Sequence, residues 1–297
     1  MNYTIAIPRS NQYDIFNGLA ATLSLIPGIN VIYWIPEQKP IFDLLDETRP
    51  QILFCTSKML TPIFIKAIQE YKIDIIVIGP TSLDINNIKL VILPYQLPEK
   101  IINNAVESLE YQSYIWKRAA NIMQYKNCKY NELYASDILY ISDTDVTQKS
   151  YIPDILLRII GQQKYKVKIC GTFRIPMNEY IGIPNLQEIC MLMGSAKIVL
   201  DFDNNTIYDC AIGRAFCLSN IQQDICPYYT NYTDNLLKQI EHFIEDDKHR
   251  NHYIKKAYKL VQNETYLNRV YDIFKQIGNE DISQKIMEYQ TNINGTL

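Results

Sequence analysis

The residues of this chain best placed to do chemistry fall between 196 and 220, in AKIVLDFDNNTIYDCAIGRAFCLSN. Ala196 to Leu200 is an apolar run of strand length. Asp201, Asp203, Asn204 and Asn205 follow, residue types that form turns and also begin helices. Ile207, Cys210 and Ala211 then recur at helical spacing, with Tyr208 and Asp209 on the same segment. Gly213 stands where a helix C-cap belongs, and Ala215 to Leu218 is apolar again. In an open parallel α/β sheet, ligands bind outside the carboxyl ends of the strands. Asp201 through Asp209 would therefore face a ligand crevice at the start of a helix whose N–H groups favour anions. The competing reading is that these aspartates and asparagines only cap the next helix.

Other strand ends offer further groups. Ser142, Asp143 and Thr144 follow the apolar run 137–141, and their hydroxyls suit phosphate or ribose contacts, or else an ordinary strand-to-helix turn. Gly171, Thr172 and Arg174 follow VKIC, and Arg174 is the best available cation for a diphosphate, or else a surface arginine. Near the N-terminus, Arg9, Ser10, Asn11 and Asp14 follow the first strand. Asp14 is the one carboxylate there, suited to a general base or simply to complementing a helix dipole.

These positions require strands that end together, and the pattern supplies them. Residues 3–7, 30–35, 51–55, 74–78 and 89–93 read as strands. Helical segments at 14–25, 40–46 and 62–71 lie between them. The repeated β-α-β order implies parallel strands with helical crossovers. Residues 99 to 125 read as one long helical segment and 127–131 as a polar linker. A second series follows, with strands at 137–141, 166–170 and 197–200 and helices at 151–160 and 186–193. Closing helices are expected near 234–245, 248–262 and 266–277, with a short one after 280. Two α/β domains result, 1–130 and 131–297.

Composition narrows the function. At 297 residues the chain is long enough for two modest domains. A net charge of −3 argues against a general nucleic-acid binder. The opening MNYTIAIPRS has no basic flank and reaches Pro8 before an apolar core of about 7–15 residues can form. No apolar run approaches the roughly 20 residues of a membrane span. The expectation is a cytoplasmic protein without a transmembrane segment. The 7 cysteines lack any Cys-x-x-Cys pair and mostly lie in apolar segments, so free buried thiols are expected. With 10 glycines, and neither G-x-G-x-x-G nor G-x-x-x-x-G-K-[ST], a dinucleotide-binding glycine loop and a P-loop are both disfavoured. His249 and His252 are spaced to share a helix face. The sequence shows no third ligand beside them, so no metal site is expected.

AKIVLDFD followed by IYDCAIGRAFCLSN resembles the nucleotide-sugar half of GT-B glycosyltransferases, most closely the CgeB-like group of the family-1-type enzymes. The segment 232–274 resembles that group's closing helices, with their Thr-Tyr-x-x-Arg signature at Thr265, Tyr266 and Arg269. The resemblance covers residues 136 to 277. It implies two Rossmann-like domains with mainly parallel sheets facing a cleft, with 1–130 on the acceptor side and 131–297 binding a nucleotide-sugar donor. It implies sugar transfer without a cofactor or an obligatory metal, with Asp14 as candidate base. Ser142, Thr144, Gly171, Thr172, Arg174, Tyr180, Asp201, Asp203, Asn204, Asn205, Tyr208 and Asp209 would contact the donor, and the Tyr180–Gly182 turn would read the base. The partners implied are a nucleotide sugar and an unidentified acceptor, with no nucleic acid, and with room for a protein partner or homo-oligomer. Aligned on Gly213, the family's ribose-binding Glu falls on Tyr208, its Arg on Asn205 and its His on Asp203. These departures open a second reading, a catalytically degenerate GT-B protein that acts as a binding or assembly partner.

Overall fold

The computed structural model describes residues 2–9, 14–81, 83, 85–94, 102–103, 111–125, 128–142, 154–171, 177–202, 206–220, 222, 225–227 and 234–294. The chain forms two compact units: Met1–Arg118 with Tyr266–Leu297, and Ala119–Thr265.

Among the described residues the first unit has six strands: β1 (Tyr3–Pro8), β2 (Ile29–Trp34), β3 (Ile52–Thr56), β4 (Asp74–Ile78), β5 (Ile88–Pro94) and β6 (Ser113–Trp116). They pair in the order β2-β1-β3-β4-β5-β6, all parallel. Strands covered on both faces read as continuous apolar runs, and ILFCT and DIIVI do so, with every residue buried except Asp74. Helices α2 (Ile41–Thr48) and α3 (Pro62–Tyr71) share a core with Trp34, Leu53, Val77 and Leu93. Thr61 caps α3 by accepting from the Phe64 N–H at 3.3 Å, and Pro62 occupies its first turn.

The second unit has β7 (Ser136–Ser142), β8 (Val167–Gly171), β9 (Ala196–Asp201) and β10 (Cys217–Ser219), ordered β10-β9-β7-β8 and all parallel. Its described helices are α4 (Ile122–Tyr125), α5 (Asp154–Gly161), α6 (Leu186–Ser195), α7 (Ile207–Ile212), α8 (Asp234–Glu245) and α9 (Asp247–Val261). Tyr140, Leu156, Ile169, Leu200, Phe216, Ile240 and Phe243 belong to one buried cluster. The α/β class with two parallel sheets is as expected from the sequence.

Two expectations are corrected. The long helix over 99–125 is not formed as such: Ser113–Trp116 is a strand paired in parallel with β5, and α4 covers only four residues. Tyr, Ile and Trp favour strands, and the open edge of β5 supplies a partner that helical periodicity cannot reveal. The boundary expected at 130 lies instead at 118, and the chain returns to the first unit at 266. Residues 119–130 are held within the second unit, where Ala120 N–H donates to Glu264 O at 2.7 Å and Asn121 N–H donates to the Asp209 carboxylate at 3.1 Å.

The return is made by α10 (Tyr266–Gln276) and α11 (Glu280–Asn294), with α10 packed on both α1 (Asp14–Leu23) and α11. Leu267, Val270, Ile273, Phe274, Ile282 and Ile286 are all buried. Each such side chain contributes about 1.5–3 kcal/mol before ordering entropy is counted. The Thr-Tyr-x-x-Arg signature is structural here. Thr265 bridges to Ala120, Tyr266 packs on Trp116 at 5.7 Å between ring centroids, and the Arg269 guanidinium donates to Arg118 O at 3.2 Å.

A Cβ at Gly18 would lie 2.1 Å from Tyr266 Cε1. Helix propensity alone favours Gly18→Ala by about 1 kcal/mol, but overpacking costs about 1–3 kcal/mol. Gly18→Ala is therefore expected to lower the melting temperature, and Gly18→Ala with Tyr266→Ala to recover part of the loss relative to Tyr266→Ala alone. A melting temperature raised by Gly18→Ala would show that the ring yields.

Candidate functional site

In the second unit the chain passes from β7 to β8 on one side and then to β9 on the other. The strand order therefore reverses between β7 and β9, the kind of place where open α/β sheets bind ligands. The carboxyl ends that meet there are Ser142 on β7 and Asp201 on β9. In register, Ser142 stands opposite Gly171 at the end of β8, and Asp201 opposite Ser219 at the end of β10. Ser142, Asp201 and Ser219 are 2%, 3% and 0% exposed, so these strand-end side chains are polar and buried. The Asp201 carboxylate is buried rather than open to solvent.

Backbone geometry explains the glycine at the end of β8. Gly171 has φ +127°, and a Cβ there would lie 2.3 Å from the Ser142 carbonyl oxygen. Only a residue without a side chain lets β7 and β8 approach this closely at that φ. Ser142 Oγ donates to Cys170 O at 3.2 Å. The segment after β8 is pinned alongside it: Ile181 N–H donates to Ile169 O at 2.8 Å, and Gly171 N–H donates to Gly182 O at 3.1 Å. Tyr180 Oη donates to Gly171 O at 2.9 Å, so this phenol holds the strand end in place.

The other expected positions divide as follows. Asp209, half-buried on α7, accepts from the Asn121 N–H, and Asn121 in turn caps α4 by accepting from Gln124 N–H at 3.2 Å. Tyr208 is half-buried on the same helix. Asp14 opens α1, but its side chain lies outside the described residues, as do Thr144, Thr172, Arg174, Asp203, Asn204 and Asn205. Helix α7 is six residues long and its N-cap is Thr206, without a side-chain cap bond. Its macrodipole is correspondingly short, so the anion-attracting field expected from a longer helix is reduced. Gly213 does close α7, but with φ −77°, and the left-handed residue is Arg214 at φ 57°. What Gly213 supplies is space, because a Cβ would lie 2.7 Å from Cys128 Sγ.

Asn220 was not anticipated. Its N–H donates to Asp201 O at 3.3 Å and its Nδ2 to Phe202 O at 2.7 Å, tying the end of β9 to the residue after β10. The polar Ser-Asn step after AFCL was the available signal. None of the seven cysteines forms a disulfide, and all but Cys128 are buried. Burial pushes Cys55, Cys128, Cys190 and Cys210 above the usual thiol range, and hydrogen bonds with Cys210 and Cys226, then burial, raise Cys217. Protonated thiols of this kind are poor nucleophiles at neutral pH. Among the described residues no helix is long and apolar enough to cross a membrane.

No family model and no curated protein matches the chain. Solved structures do match over nearly its whole length. Anabaena HepE in complex with UDP is 11% identical, with 93% of this chain and 100% of that chain covered at TM-score 0.63. Sucrose-phosphate synthase from Thermosynechococcus elongatus is 8% identical, covering 95% and 100% at TM-score 0.61. The fold is of the GT-B type. UDP-GlcNAc 2-epimerase from Neisseria meningitidis, bound to UDP-GlcNAc, matches at 12% identity, 94% and 100% coverage and TM-score 0.56. A GT-B fold thus accounts for the paired parallel sheets and for the closing helices that return to the first unit.

Gly171→Ala tests the geometry of the strand ends. A non-glycine residue at that φ costs about 1–3 kcal/mol, and the contact with the Ser142 carbonyl forces β7 and β8 apart in addition. A fall of several degrees in melting temperature is expected. An unchanged melting temperature would refute the close approach.

Proposed function

We propose that this chain is a GT-B-type glycosyltransferase whose second unit takes the nucleoside diphosphate of a nucleotide-sugar donor at the carboxyl ends of β7, β8 and β9. The observation that carries this reading is the strand-order reversal, where Ser142, Gly171 and Asp201 stand at the carboxyl ends of β7, β8 and β9. The neighbours add chemistry: HepE was solved with UDP and with UDP-glucose, and the Neisseria epimerase with UDP-GlcNAc. Those proteins share the uridine nucleotide, so donor recognition is the best-supported part of the reading.

Arg174 would face the diphosphate, with Thr144, Thr172, Asn204 and Asn205 supplying hydrogen bonds around it and Tyr208 reaching a ribose. In transfer, the acceptor oxygen bonds to the anomeric carbon as the bond from that carbon to the diphosphate oxygen breaks. The nucleoside diphosphate departs with the electron pair, and Asp14 takes the acceptor's proton. No metal is required if Arg174 and backbone N–H groups carry the leaving-group charge.

A second reading has its own observation. Tyr180 and Asp209, both expected to meet the donor, have polar atoms engaged within the fold, by Gly171 and Asn121. A GT-B protein that has lost transfer and keeps a binding or assembly role fits that arrangement.

Calorimetry with UDP, GDP, UDP-glucose and uridine separates the two. A ligand present at 100 times its dissociation constant stabilises the native state by about 2.7 kcal/mol, so a parallel thermal-shift panel should show one nucleoside diphosphate standing out. Arg174→Ala is expected to weaken that diphosphate by about tenfold or more, since a charge-assisted hydrogen bond contributes roughly 1.5–3 kcal/mol, while leaving uridine little changed. Asp14→Asn should bind the donor and fail to turn it over. Absence of diphosphate binding by the wild type would overturn the transferase and leave the assembly reading.

A further inference from the structure

The turn between α8 and α9 assembles three metal-ligating side chains. His242 lies in the last turn of α8, Asp246 is the N-cap of α9, and His249 is in the first turn of α9. Asp246 accepts from the His249 N–H at 2.9 Å, and its other oxygen lies 2.7 Å from His249 Nδ1. The His242 and His249 rings are 5.3 Å apart at their centroids. One ligand atom from each of the three residues lies within 4.8 Å of the other two. Two atoms bonded to one first-row ion at about 2.0–2.2 Å are at most about 4.4 Å apart, so small rotations of these outward-facing side chains bring all three into coordination.

Sequence spacing alone pairs His249 with His252. The structure directs them differently, with His252 packed on Tyr253 at 5.7 Å and His249 turned toward α8. The backbone that carries the three ligands is held firmly. The Arg250 guanidinium is buried, donates to Phe243 O and, at 3.0 Å, to Ile244 O, and pairs with Asp247. Its positive charge is thereby spent on the end of α8 and on Asp247 rather than on the cluster. Phe243, the neighbour of His242, is buried against Phe216 at 4.7 Å.

We propose that His242, Asp246 and His249 form a binding site for a divalent first-row transition ion, Zn2+ being the representative case. Two imidazoles and one carboxylate suit zinc, copper, nickel or cobalt better than magnesium or calcium, which favour all-oxygen shells. The three residues leave an open position for water. The site lies away from the proposed donor edge. Phe216 directly precedes β10, and Lys164, which pairs with Glu241 at 2.9 Å, lies three residues before β8, so this end of α8 sits near the amino ends of the strands. The ion would therefore act as a staple between α8 and α9, independent of sugar transfer.

Titration of the untagged full-length protein with ZnCl2 and with CoCl2, followed by calorimetry and by the visible spectrum of Co2+, tests the site. One ion per chain is expected, with a Co2+ spectrum free of thiolate charge transfer. His242→Ala and His249→Ala should each weaken binding by at least about tenfold, the lower end of what even outer-shell changes cost a metal site. Asp246→Asn keeps a good N-cap and should weaken binding comparably, while His252→Ala should not. Melting temperatures taken without metal confirm that each variant is folded. No binding by the wild type, full binding by His242→Ala, or a thiolate band that assigns the ion to cysteine would each overturn the proposal.

Discussion

Parallel strand pairing is the constraint from which the rest of this structure follows. Parallel neighbours cannot be joined by a tight hairpin, so each connection must cross a face of the sheet, usually as a helix. The crossovers bury both faces, which is why ILFCT and DIIVI are apolar almost without interruption. The same rule sends all carboxyl ends to one edge. In the second unit that edge gathers Ser142, Gly171, Asp201 and Ser219, and the opposite edge receives Phe216, Lys164 and the end of α8. One topological rule thus separates the proposed donor edge from the His242–Asp246–His249 cluster.

The chain's path is the second organising feature. It leaves the first unit after Arg118 and returns at Tyr266. The two passages are tied to each other, by Ala120 with Glu264 and Thr265, and by Arg118 with Arg269. The Thr-Tyr-x-x-Arg signature earns its place through these bonds and through the ring of Tyr266 seated over Gly18. A motif found by resemblance is here a device for closing the fold.

Polar groups at the strand ends serve the fold as well as any ligand. Tyr180 holds the end of β8, Asp209 holds the segment entering the second unit, and Asn220 joins the ends of β9 and β10. Buried polar atoms need partners, and a site at the edge of a packed sheet finds many of them in the backbone. This is the physical content of the two readings of function. A transferase needs enough of these groups free to meet a donor, whereas a binding partner can leave them engaged.

The sequence by itself determined the α/β class, the parallel strands and most of the helices, because those depend on local periodicity, on Pro62 and the Thr61 cap, and on apolar runs long enough to be unambiguous. It also placed Ser142, Gly171 and Asp201 at strand ends. Tertiary structure decided what local pattern cannot carry. Residues 113–116 became a strand only because β5 offered an open edge, and the last two described helices joined the first unit because α10 found α1 and α11 packed on α10. Gly213 is small because Cys128 lies against it, not because the backbone turns left-handed there. His249 met His242 rather than His252, since the turn at Asp246 folds one helix end against the next. Each of these depends on a contact between residues whose proximity is created by the fold, and periodicity along a chain reports faces, not neighbours.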